Sequence, residues 1–322
     1  MQRSLIATLV SCLAAAANAK TAVVTFYGYD DCIEISNADT RVVLCPAAGG
    51  RVLYYGTHQE NLLYLPPGDE GWKWDGSSTR GRMTAGRFDI GPEKMVPKRL
   101  MLWQGEWKAE TTGELAAIMT SQFDESTGVV LRREFALAAS GTTLRCTQTI
   151  ENKTDSAVEY CHWSRTFLRG KGTCFVPLSR FSKFPNHYVR YDDAVSINYR
   201  PEDDHIQRTE DCLVITDRPK NPKLGFDSRE GWLAYAIPNS KLFVKRFPVY
   251  PRRAYNEVAG LTISVWYPDD AMVELEPIGP AERLELAQSA SFTETWNFLD
   301  ADSSLQSPTE IAAAVGALSK AE

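Results

Sequence analysis

The sequence lacks the signatures of several large functional classes. It contains no CxxC pair and no two cysteines at the spacing of zinc ligands, which argues against a zinc site. It also has no acidic loop of the calcium-binding type, and we expect neither a bound metal nor a cofactor. A formal net charge of −6 with scattered basic residues gives no surface for nucleic acid or for an anionic membrane.

Apolar runs long enough to cross a bilayer are missing as well. Residues 1–19 instead follow the pattern of a secretory signal, with Arg3 in a positive start, a short apolar run and a small-x-small cleavage site that ends at Ala19. We therefore expect an exported protein, secreted or periplasmic, that has no membrane attachment once the signal is removed.

Cysteine use agrees with an oxidising compartment. Removal of the signal leaves six of the seven cysteines, an even number that permits disulfides. Cys32 with Cys45, and Cys161 with Cys174, are each separated by thirteen residues, a comfortable span for a hairpin. Six cysteines allow many pairings, and the sequence does not select one.

Helical periodicity is scarce between residues 20 and 300, where β-strand signals dominate. Short apolar segments alternate with turns rich in Gly, Ser and Thr, a spacing typical of an antiparallel meander. The predicted strands comprise residues 21–26, 32–36, 41–44, 51–55, 62–65, 103–111, 116–123, 129–137, 142–151, 159–167, 173–177 and 272–277. The sequence therefore predicts an all-β protein.

No internal repeat and no linker divides the chain. We expect a signal peptide at 1–19, a single β-domain at 20–300 and a C-terminal tail at 301–322. Within the tail, Ser307 as N-cap and Pro308 at the first helical position predict a short helix.

Two stretches have the composition expected for the walls of a binding site. Residues 66–99, which include Trp74 and Arg87, are irregular and rich in Gly, Arg and Trp, and long ordered loops of this kind are commonly functional. An ordered lid that merely covers a sheet is the alternative for this stretch. The second wall is an aromatic loop that carries His187 and Tyr188.

The strand that precedes Pro277 has the most informative pattern. Val273 and Leu275 point to one face, and Glu274 and Glu276 share the opposite face about 7 Å apart. Acids beside a strand end serve catalysis in some proteins and are ordinary solvated side chains in others. Pro277 cannot donate to a β-ladder, so the strand is expected to end or to meet a sheet edge there.

The strand at 159–167 separates two candidate residues by parity. His162 shares one face with polar neighbours, which suits a solvated face, whereas Arg165 projects from the other face. The two side chains therefore reach one pocket only if a β-bulge intervenes. A histidine in this setting is either structural or catalytic.

The order of five motifs resembles the galactose-mutarotase-like superfamily, and more narrowly a secreted branch of it. The motifs are Gly49-Gly50-Arg51, 86–93 (Gly-Arg-Phe-Asp-Ile-Gly-Pro-Glu), the histidine strand at 159–167, 274–280 (Glu-Leu-Glu-Pro-Ile-Gly-Pro) and 294–298 (Glu-Thr-Trp-Asn-Phe). The resemblance covers nearly all of the chain after residue 19. It implies an antiparallel β-supersandwich that holds a carbohydrate on the concave face of a curved sheet. In epimerase members of the superfamily, a histidine protonates the ring oxygen while a late glutamate takes the proton of the anomeric hydroxyl.

Carried over to this chain, the resemblance implies that Glu276 is the base, with Glu274 as its substitute if the register shifts by two residues. His162 would be the acid, with His187 as the second candidate. Such a pair suits mutarotation, which needs a proton donor and a proton acceptor around a hemiacetal. Guanidinium groups hydrogen-bond hydroxyls or carboxylates, and aromatic rings cover the apolar faces of sugars. The candidate substrate contacts are Arg51, Arg87, Trp74, Tyr188 and Arg165.

Three classes of function follow, each with a mono- or oligosaccharide as the partner. The favoured class is an aldose 1-epimerase-like isomerase, and the second is a non-catalytic carbohydrate-binding protein. The third is a polysaccharide lyase or glycoside hydrolase, for which His187 and Tyr188 with Arg190 could supply a lyase base and its cation. The chain lacks the paired histidine motifs of the epimerase members.

Geometry separates these classes. A histidine that faces Glu276 across a pocket with room for a sugar ring favours the isomerase. Glutamates held in ion pairs by Arg51 or Arg87 favour a binding or structural role.

Overall fold

The computed structural model describes residues 19–77, 84–192, 196–301 and 307–319. The predicted signal peptide at 1–19 lies outside the described residues except for Ala19. Within these ranges the chain consists mainly of β-strands, together with two α-helices.

The described strands and helices have the following bounds. Strands β1 to β11 are Lys20–Phe26, Tyr29–Ser36, Arg41–Cys45, Arg51–Gly56, Gly86–Gly91, Lys108–Gly113, Ala116–Thr120, Val129–Leu137, Leu144–Asn152, Val158–Arg169 and Thr173–Pro177. Strands β12 to β21 are Val189–Tyr191, Ile197–Asn198, Ile206–Arg208, Cys212–Ile215, Lys223–Phe226, Trp232–Ala236, Lys241–Arg246, Ile263–Asp269, Met272–Leu284 and Ser289–Asp300. The helices are α1 (Leu100–Gln104) and α2 (Pro308–Leu318).

Over the described residues, the strands form two sheets in which neighbouring strands are antiparallel. The larger sheet has eleven strands in the order β1-β2-β3-β4-β5-β10-β20-β19-β16-β12-β13, and the smaller has ten in the order β14-β15-β11-β17-β18-β21-β9-β8-β7-β6. Apolar side chains from both sheets form one core between them, for example Leu275 and Val265 from the larger sheet and Phe243 and Trp296 from the smaller. The predicted all-β antiparallel sandwich with a short C-terminal helix is confirmed.

Helix α2 closes the outer face of the smaller sheet. Ser307 is its N-cap and Pro308 lies in its first turn, as the sequence predicts, and the structure adds a reciprocal capping box between Ser307 and Glu310. Ile311 and Val315 pack on the sheet beside Val244. Burial of each apolar side chain contributes about 1.5–3 kcal/mol, which is sufficient to dock so short a helix.

Three strand predictions require correction. Residues 62–65 form only an isolated bridge, from Leu63 to Leu168. The predicted strand at 103–111 is divided between α1 and β6. Residues 66–99 are not wholly irregular, because β5 lies among them and pairs with β4 and β10. The strand pattern of β5 is hard to recognise because glycine stands at Gly86 in place of a strand-forming residue. A Cβ at Gly86 would lie 2.6 Å from the ring of Trp296, so no larger side chain fits there.

Pro277 limits one ladder without ending its strand. The pairing of β20 with β19 runs to Pro277 opposite Ile263 and stops. Strand β20 itself continues to Leu284 along β10, with a register shift between Cys161 and Trp163. The missing N–H of Pro277 therefore falls where one side of the strand loses its partner, which is where proline is tolerated.

Candidate functional site

The centre of the larger sheet carries a charged cluster on its outer face, the face turned away from the smaller sheet. Strand register places residues from β5, β10, β20 and β16 on this face, because Arg165 lies opposite Arg87 and Lys223 lies opposite Trp266. We call it the outer charged cluster; it comprises Arg87, Asp89, Glu93, Arg165, Lys223, Glu274 and Glu276. It lies directly behind the core residues Val273 and Leu275, as the alternation along β20 predicts.

Arg165 is the centre of this cluster. Its Nε and Nη2 atoms donate to the two carboxylate oxygens of Glu274 at 2.8 and 2.9 Å, a bidentate pair. Its Nη1 donates at 3.4 Å to Asp89 and at 3.4 Å to Glu93. The side chain is only 5% exposed, so these contacts are made away from solvent. The glutamate pair is therefore held by Arg165, not by Arg51 or Arg87.

Glu276 is the least satisfied group of the cluster. It is fully buried, and Nη2 of Arg165 lies 3.1 Å from its Oε1. That contact lacks hydrogen-bond geometry, so neither carboxylate oxygen of Glu276 accepts a hydrogen bond. Burial and the neighbouring Glu274 carboxylate raise the pKa of Glu276 to about 7, although Lys223 and Arg165 act in the opposite direction.

The two glutamates of β20 consequently differ in protonation. Burial alone would raise the pKa of Glu274, but the bidentate Arg165 outweighs it and lowers that pKa below its usual value. Glu274 is thus a permanent carboxylate at neutral pH, whereas Glu276 exchanges a proton near pH 7. Two neighbouring carboxyls whose pKa values are shifted in opposite directions are typical of sites that transfer protons.

A wall of the cluster comes from β5, the segment that follows it, and α1. Asp89 accepts hydrogen bonds from Arg99 Nε at 2.6 Å and from Trp103 Nε1 at 2.7 Å. The guanidinium groups of Arg87 and Arg99 lie 5.0 and 4.5 Å from the centre of the Trp103 ring. Burial would raise the pKa of Asp89, but these arginines with Arg165 hold it well below its usual range. The segment predicted as a site wall therefore does border the cluster.

Lys223 forms the opposite side. Its Nζ donates to Glu93 Oε2 at 2.7 Å and lies 5.2 Å from the ring centre of Trp163, 5.5 Å from that of Tyr191 and 5.9 Å from that of Trp266. At the solvent side, the exposed fractions are 27% for Glu93, 16% for Lys223 and 12% for Arg87. These three side chains form the rim above Glu276.

Sequence reasoning missed several of these residues. Asp89 and Glu93 lie within the quoted motif at 86–93 and could have been found there by their alternation with the buried Phe88 and Ile90. Lys223 carries no local signal, since its role depends on strand pairing alone.

His162 lies on the other side of β10 and does not meet Glu276. It is 0% exposed, stacks between Phe88 and Phe292 at 5.7 Å from each, and donates through Nε2 to the carbonyl oxygen of Ala290 at 3.0 Å. Burial lowers the pKa of His162 to about 4, so it is neutral at pH 7. The expectation of a solvated face is wrong, because the polar neighbours of His162 face the interior.

The aromatic loop lies away from the glutamates. His187 has a left-handed backbone with φ of 64° and borders a cavity of about 10 Å³ beside Ser182 and Asp227. Burial lowers its pKa, with Arg208 and Asp227 as the neighbouring charges. Tyr188 points into the core, where its hydroxyl donates to Pro201 O at 3.0 Å and burial raises its pKa to about 12.

Two further candidates have separate surroundings. Arg51 is buried and donates to the carbonyl oxygens of Ala48, Thr84 and Trp103 at 3.0, 2.8 and 3.0 Å, so it ties β4 to α1. Trp74 is half-buried in the loop before residue 78. Of the candidate contacts named from the sequence, the outer charged cluster unites Arg87 and Arg165 with both glutamates.

A second polar group lies between the sheets, directly behind the first. Lys245 Nζ is 2.8 Å from Ser164 Oγ and 3.2 Å from Glu294 Oε2, and Ser164 donates to Glu294 Oε1 at 2.6 Å. All three residues are 0% exposed. Burial lowers the pKa of Lys245. We call Lys245, Ser164 and Glu294 the inner triad.

His162 and Glu276 make opposite contributions to stability between pH 7 and pH 5. The folded pKa of His162 is about 4 against 6.5 unfolded, so the unfolded state binds more protons and stability falls as pH falls. The folded pKa of Glu276 is about 7 against 4.5 unfolded, so stability from this group rises as pH falls. Each contribution is about 2 kcal/mol over this range.

We therefore expect the pH-dependent contributions of His162 and Glu276 to the free energy of unfolding to cancel in the wild type. Substituting one of the two residues should reveal the contribution of the other. His162→Gln should gain stability relative to wild type on moving from pH 7 to pH 5, and Glu276→Gln should lose it. Urea unfolding of the three proteins at both pH values measures the difference. Parallel pH profiles for all three would show that neither group has a shifted pKa.

The fold can be compared with known proteins. No protein-family model matches the chain, and a search of curated proteins found no match in sequence. A candidate aldose 1-epimerase from Escherichia coli K12 has a TM-score of 0.59 at 10% identity, covering 83% of this chain and 98% of that chain. A galactose mutarotase-like protein from Lactobacillus casei ATCC 334 has a TM-score of 0.57 at 10% identity, covering 83% and 100%. A galactose mutarotase related enzyme from Lactobacillus acidophilus has a TM-score of 0.54 at 11% identity, covering 84% and 98%.

At this low identity the comparisons establish the fold. The chain has the galactose-mutarotase-like fold, and the resemblance drawn from its motifs is confirmed at that level. Within the described ranges, no helix has both the length and the apolar character needed to cross a membrane. The same ranges contain no group of three His, Cys, Asp or Glu side chains arranged to hold a metal ion.

Proposed function

We propose that the chain binds a saccharide over the outer charged cluster and interconverts its anomers, with Glu276 transferring the proton. The observation that carries the proposal is the state of Glu276: a buried carboxyl whose oxygens accept no hydrogen bond and whose pKa is raised to about 7. Such a group accepts and returns a proton at neutral pH, which is the requirement for general acid–base catalysis. The fold of the structural neighbours supports a sugar as the ligand.

In this proposal the ionised Glu276 takes the proton of the anomeric hydroxyl. The bond between the anomeric carbon and the ring oxygen then breaks and gives an aldehyde and an alkoxide on the former ring oxygen. After the aldehyde group rotates, the alkoxide attacks its other face, and Glu276 returns the proton to the new anomeric oxygen, which gives the second anomer. Arg165 and Lys223 stabilise the negative charge that develops on the ring oxygen. Within the described residues, His162 and His187 both lie away from Glu276. In this proposal Arg165 and Lys223 therefore take the role that a histidine acid has in the epimerases. A saccharide reaches Glu276 by displacing the side chain of Glu93, the most exposed of the three rim residues, while Lys223 stays among its aromatic neighbours.

A specific observation favours a second candidate, saccharide binding without catalysis. Arg165 holds Glu274 in a bidentate pair and also lies 3.1 Å from Glu276. An arginine held in this way is rigid, and the cluster around it keeps Arg87 Nε and the Glu276 oxygens without a hydrogen-bond partner, so these groups can bond the hydroxyls of a saccharide. The two candidates share one ligand class and differ in whether Glu276 moves a proton.

Anomer equilibration followed by NMR separates them. Wild type should accelerate the equilibration of at least one aldose, with a rate that rises as pH passes through about 7, since the base must be ionised. Glu276→Gln should lower this acceleration by about 10²–10⁴-fold. The exposed Glu285→Gln is the matched control and should retain the wild-type rate.

The alternative outcomes are equally definite. If no aldose equilibrates faster with the wild-type protein than in buffer, the isomerase proposal fails. Saccharide binding, measured by calorimetry on the same sugars, then decides whether the second candidate holds.

A further inference from the structure

Lys223 is enclosed in an unusual way for a surface-strand lysine. Aromatic rings from three different strands surround its ammonium group: Trp163, Tyr191 and Trp266 lie at 5.2, 5.5 and 5.9 Å. Each distance is within the range of a cation–π contact. Glu93 accepts a hydrogen bond from the same nitrogen at 2.7 Å. A flexible four-carbon side chain is therefore held in one place by four separate contacts.

We propose that Lys223 is a positioning residue for Glu276: Trp163, Tyr191, Trp266 and Glu93 hold its ammonium in one place at the solvent side of the outer charged cluster, from where its positive charge acts on the buried Glu276 carboxyl. The inference deepens the proposed function and rests on it for the catalytic consequence. The charge effect of Lys223 on Glu276 does not depend on a saccharide, so it can be tested without one.

Charged and titratable groups reach Glu276 from each element around it. Glu274 on its own strand and Glu93 after β5 oppose its ionisation, whereas Arg165 on β10 and Lys223 on β16 favour it. The hydroxyl of Tyr191 on β12 completes the surroundings. The protonation of Glu276 is thus a balance between two cations and the nearby acids.

Of the two cations, Lys223 has fewer carboxylate partners of its own, whereas Arg165 lies 3.1 Å from Glu276 Oε1 but is shared among several acids. Arg165 commits two of its nitrogen atoms to Glu274 and a third to Asp89 and Glu93, so most of its charge is already matched. Lys223 has one hydrogen-bonded carboxylate, Glu93, which is 27% exposed and partly hydrated.

The enclosure explains why a lysine can serve here. An uncaged ammonium is strongly hydrated and adopts many conformations, and its effect on a buried carboxyl is screened by water. Aromatic faces attract the cation and exclude water from it at the same time. The charge therefore acts on Glu276 through a medium of low polarity, where it is strongest.

The test is the titration of Glu276 itself, independent of any sugar. Protein with ¹³C-labelled glutamate carboxyls is titrated by NMR, and the Glu276 resonance is assigned by its loss in Glu276→Gln. Lys223→Met, which has similar length and suits an aromatic enclosure, should raise the pH midpoint of Glu276 by about 1 unit or more. Lys223→Arg should stay closer to wild type, because the charge is retained.

Two further variants exclude trivial explanations. Lys220→Met removes a lysine that is 75% exposed and should leave the midpoint unchanged, since water and salt screen its charge. If Lys223→Met fails to fold, Lys223→Gln tests the same loss of charge. An unchanged Glu276 midpoint in the neutral variant at position 223 overturns the inference.

Failure of the inference and failure of the proposed function are distinguishable. A shifted midpoint with no anomer equilibration in wild type retains the role of Lys223 and rejects the isomerase. With an active wild type, Lys223→Met should move the rise of rate to higher pH by the same amount as the NMR midpoint. A lowered rate at every pH, with an unshifted midpoint, limits Lys223 to stabilising the charge on the ring oxygen and overturns the inference that it acts through Glu276.

Discussion

Arg165→Met should lower the free energy of unfolding by about 3–5 kcal/mol at pH 7, because it breaks a buried ion pair by removing one partner. The arginine is 5% exposed and faces Glu274, Glu276 and Asp89, each 0% exposed. Without it, these carboxyls are left in a medium of low polarity with mutual repulsion. Urea unfolding followed by tryptophan fluorescence measures the change, and Met is chosen because it fills much of the same volume.

Arg132 on β8 provides the matched control. It pairs with Glu134 of the same strand, but the two side chains are 46% and 39% exposed. Arg132→Met should therefore change the free energy of unfolding by at most about 1 kcal/mol. If Arg165→Met costs no more than this control, the outer charged cluster does not stabilise the sheet. The double variant Arg165→Met, Glu274→Gln should recover part of the loss, since it removes the carboxylate left unpaired.

Lys245→Met should be comparably damaging, by about 3–5 kcal/mol, because it leaves the Glu294 carboxylate without its cation between the sheets. Lys245, Glu294 and Ser164 are all 0% exposed, so water cannot replace the missing donor without opening the core. Thermal and urea unfolding at pH 7 measure the loss.

The inner triad offers its own compensating variant. Lys245→Met combined with Glu294→Gln removes both charges and leaves the amide to bond Ser164, so most of the stability should return. A double variant as unstable as Lys245→Met alone would show that packing around Trp296, whose ring centre is 5.0 Å from Lys245 Nζ, and not charge, determines the effect.

The fold class was accessible from sequence because strand alternation is a local property. Val273 and Leu275 point into the core and Glu274 and Glu276 away from it, as the pattern along β20 predicts. Local patterns failed where glycine replaced the expected side chains, as in β5, whose Gly86 is required by the close approach of Trp296.

The partners of the glutamates were not accessible in the same way. Lys223 is separated by about fifty residues in sequence from β20, and only the order β20-β19-β16 brings it to the same face. The prediction that His162 lies on a solvated face was wrong for a related reason. Its polar neighbours indicated solvent, but Ser164 instead meets Lys245 from the smaller sheet. A single strand cannot reveal which polar groups lie across the interface.

Strand β10 carries fixed charge partners on both of its faces, and this constrains how the sheet assembles. A slip of one residue against β20 or β5 exchanges the faces, so that Arg165 enters the interior and Ser164 leaves it. In an ordinary amphipathic strand, such a slip costs free energy only because it exposes apolar side chains. Here it also leaves Glu274 without Arg165, and an uncompensated buried ion costs several kcal/mol. On the other face, the Lys245–Glu294 pair loses its two hydrogen bonds with Ser164. Only the native register of β10 therefore satisfies the charged groups on both faces of the larger sheet at the same time.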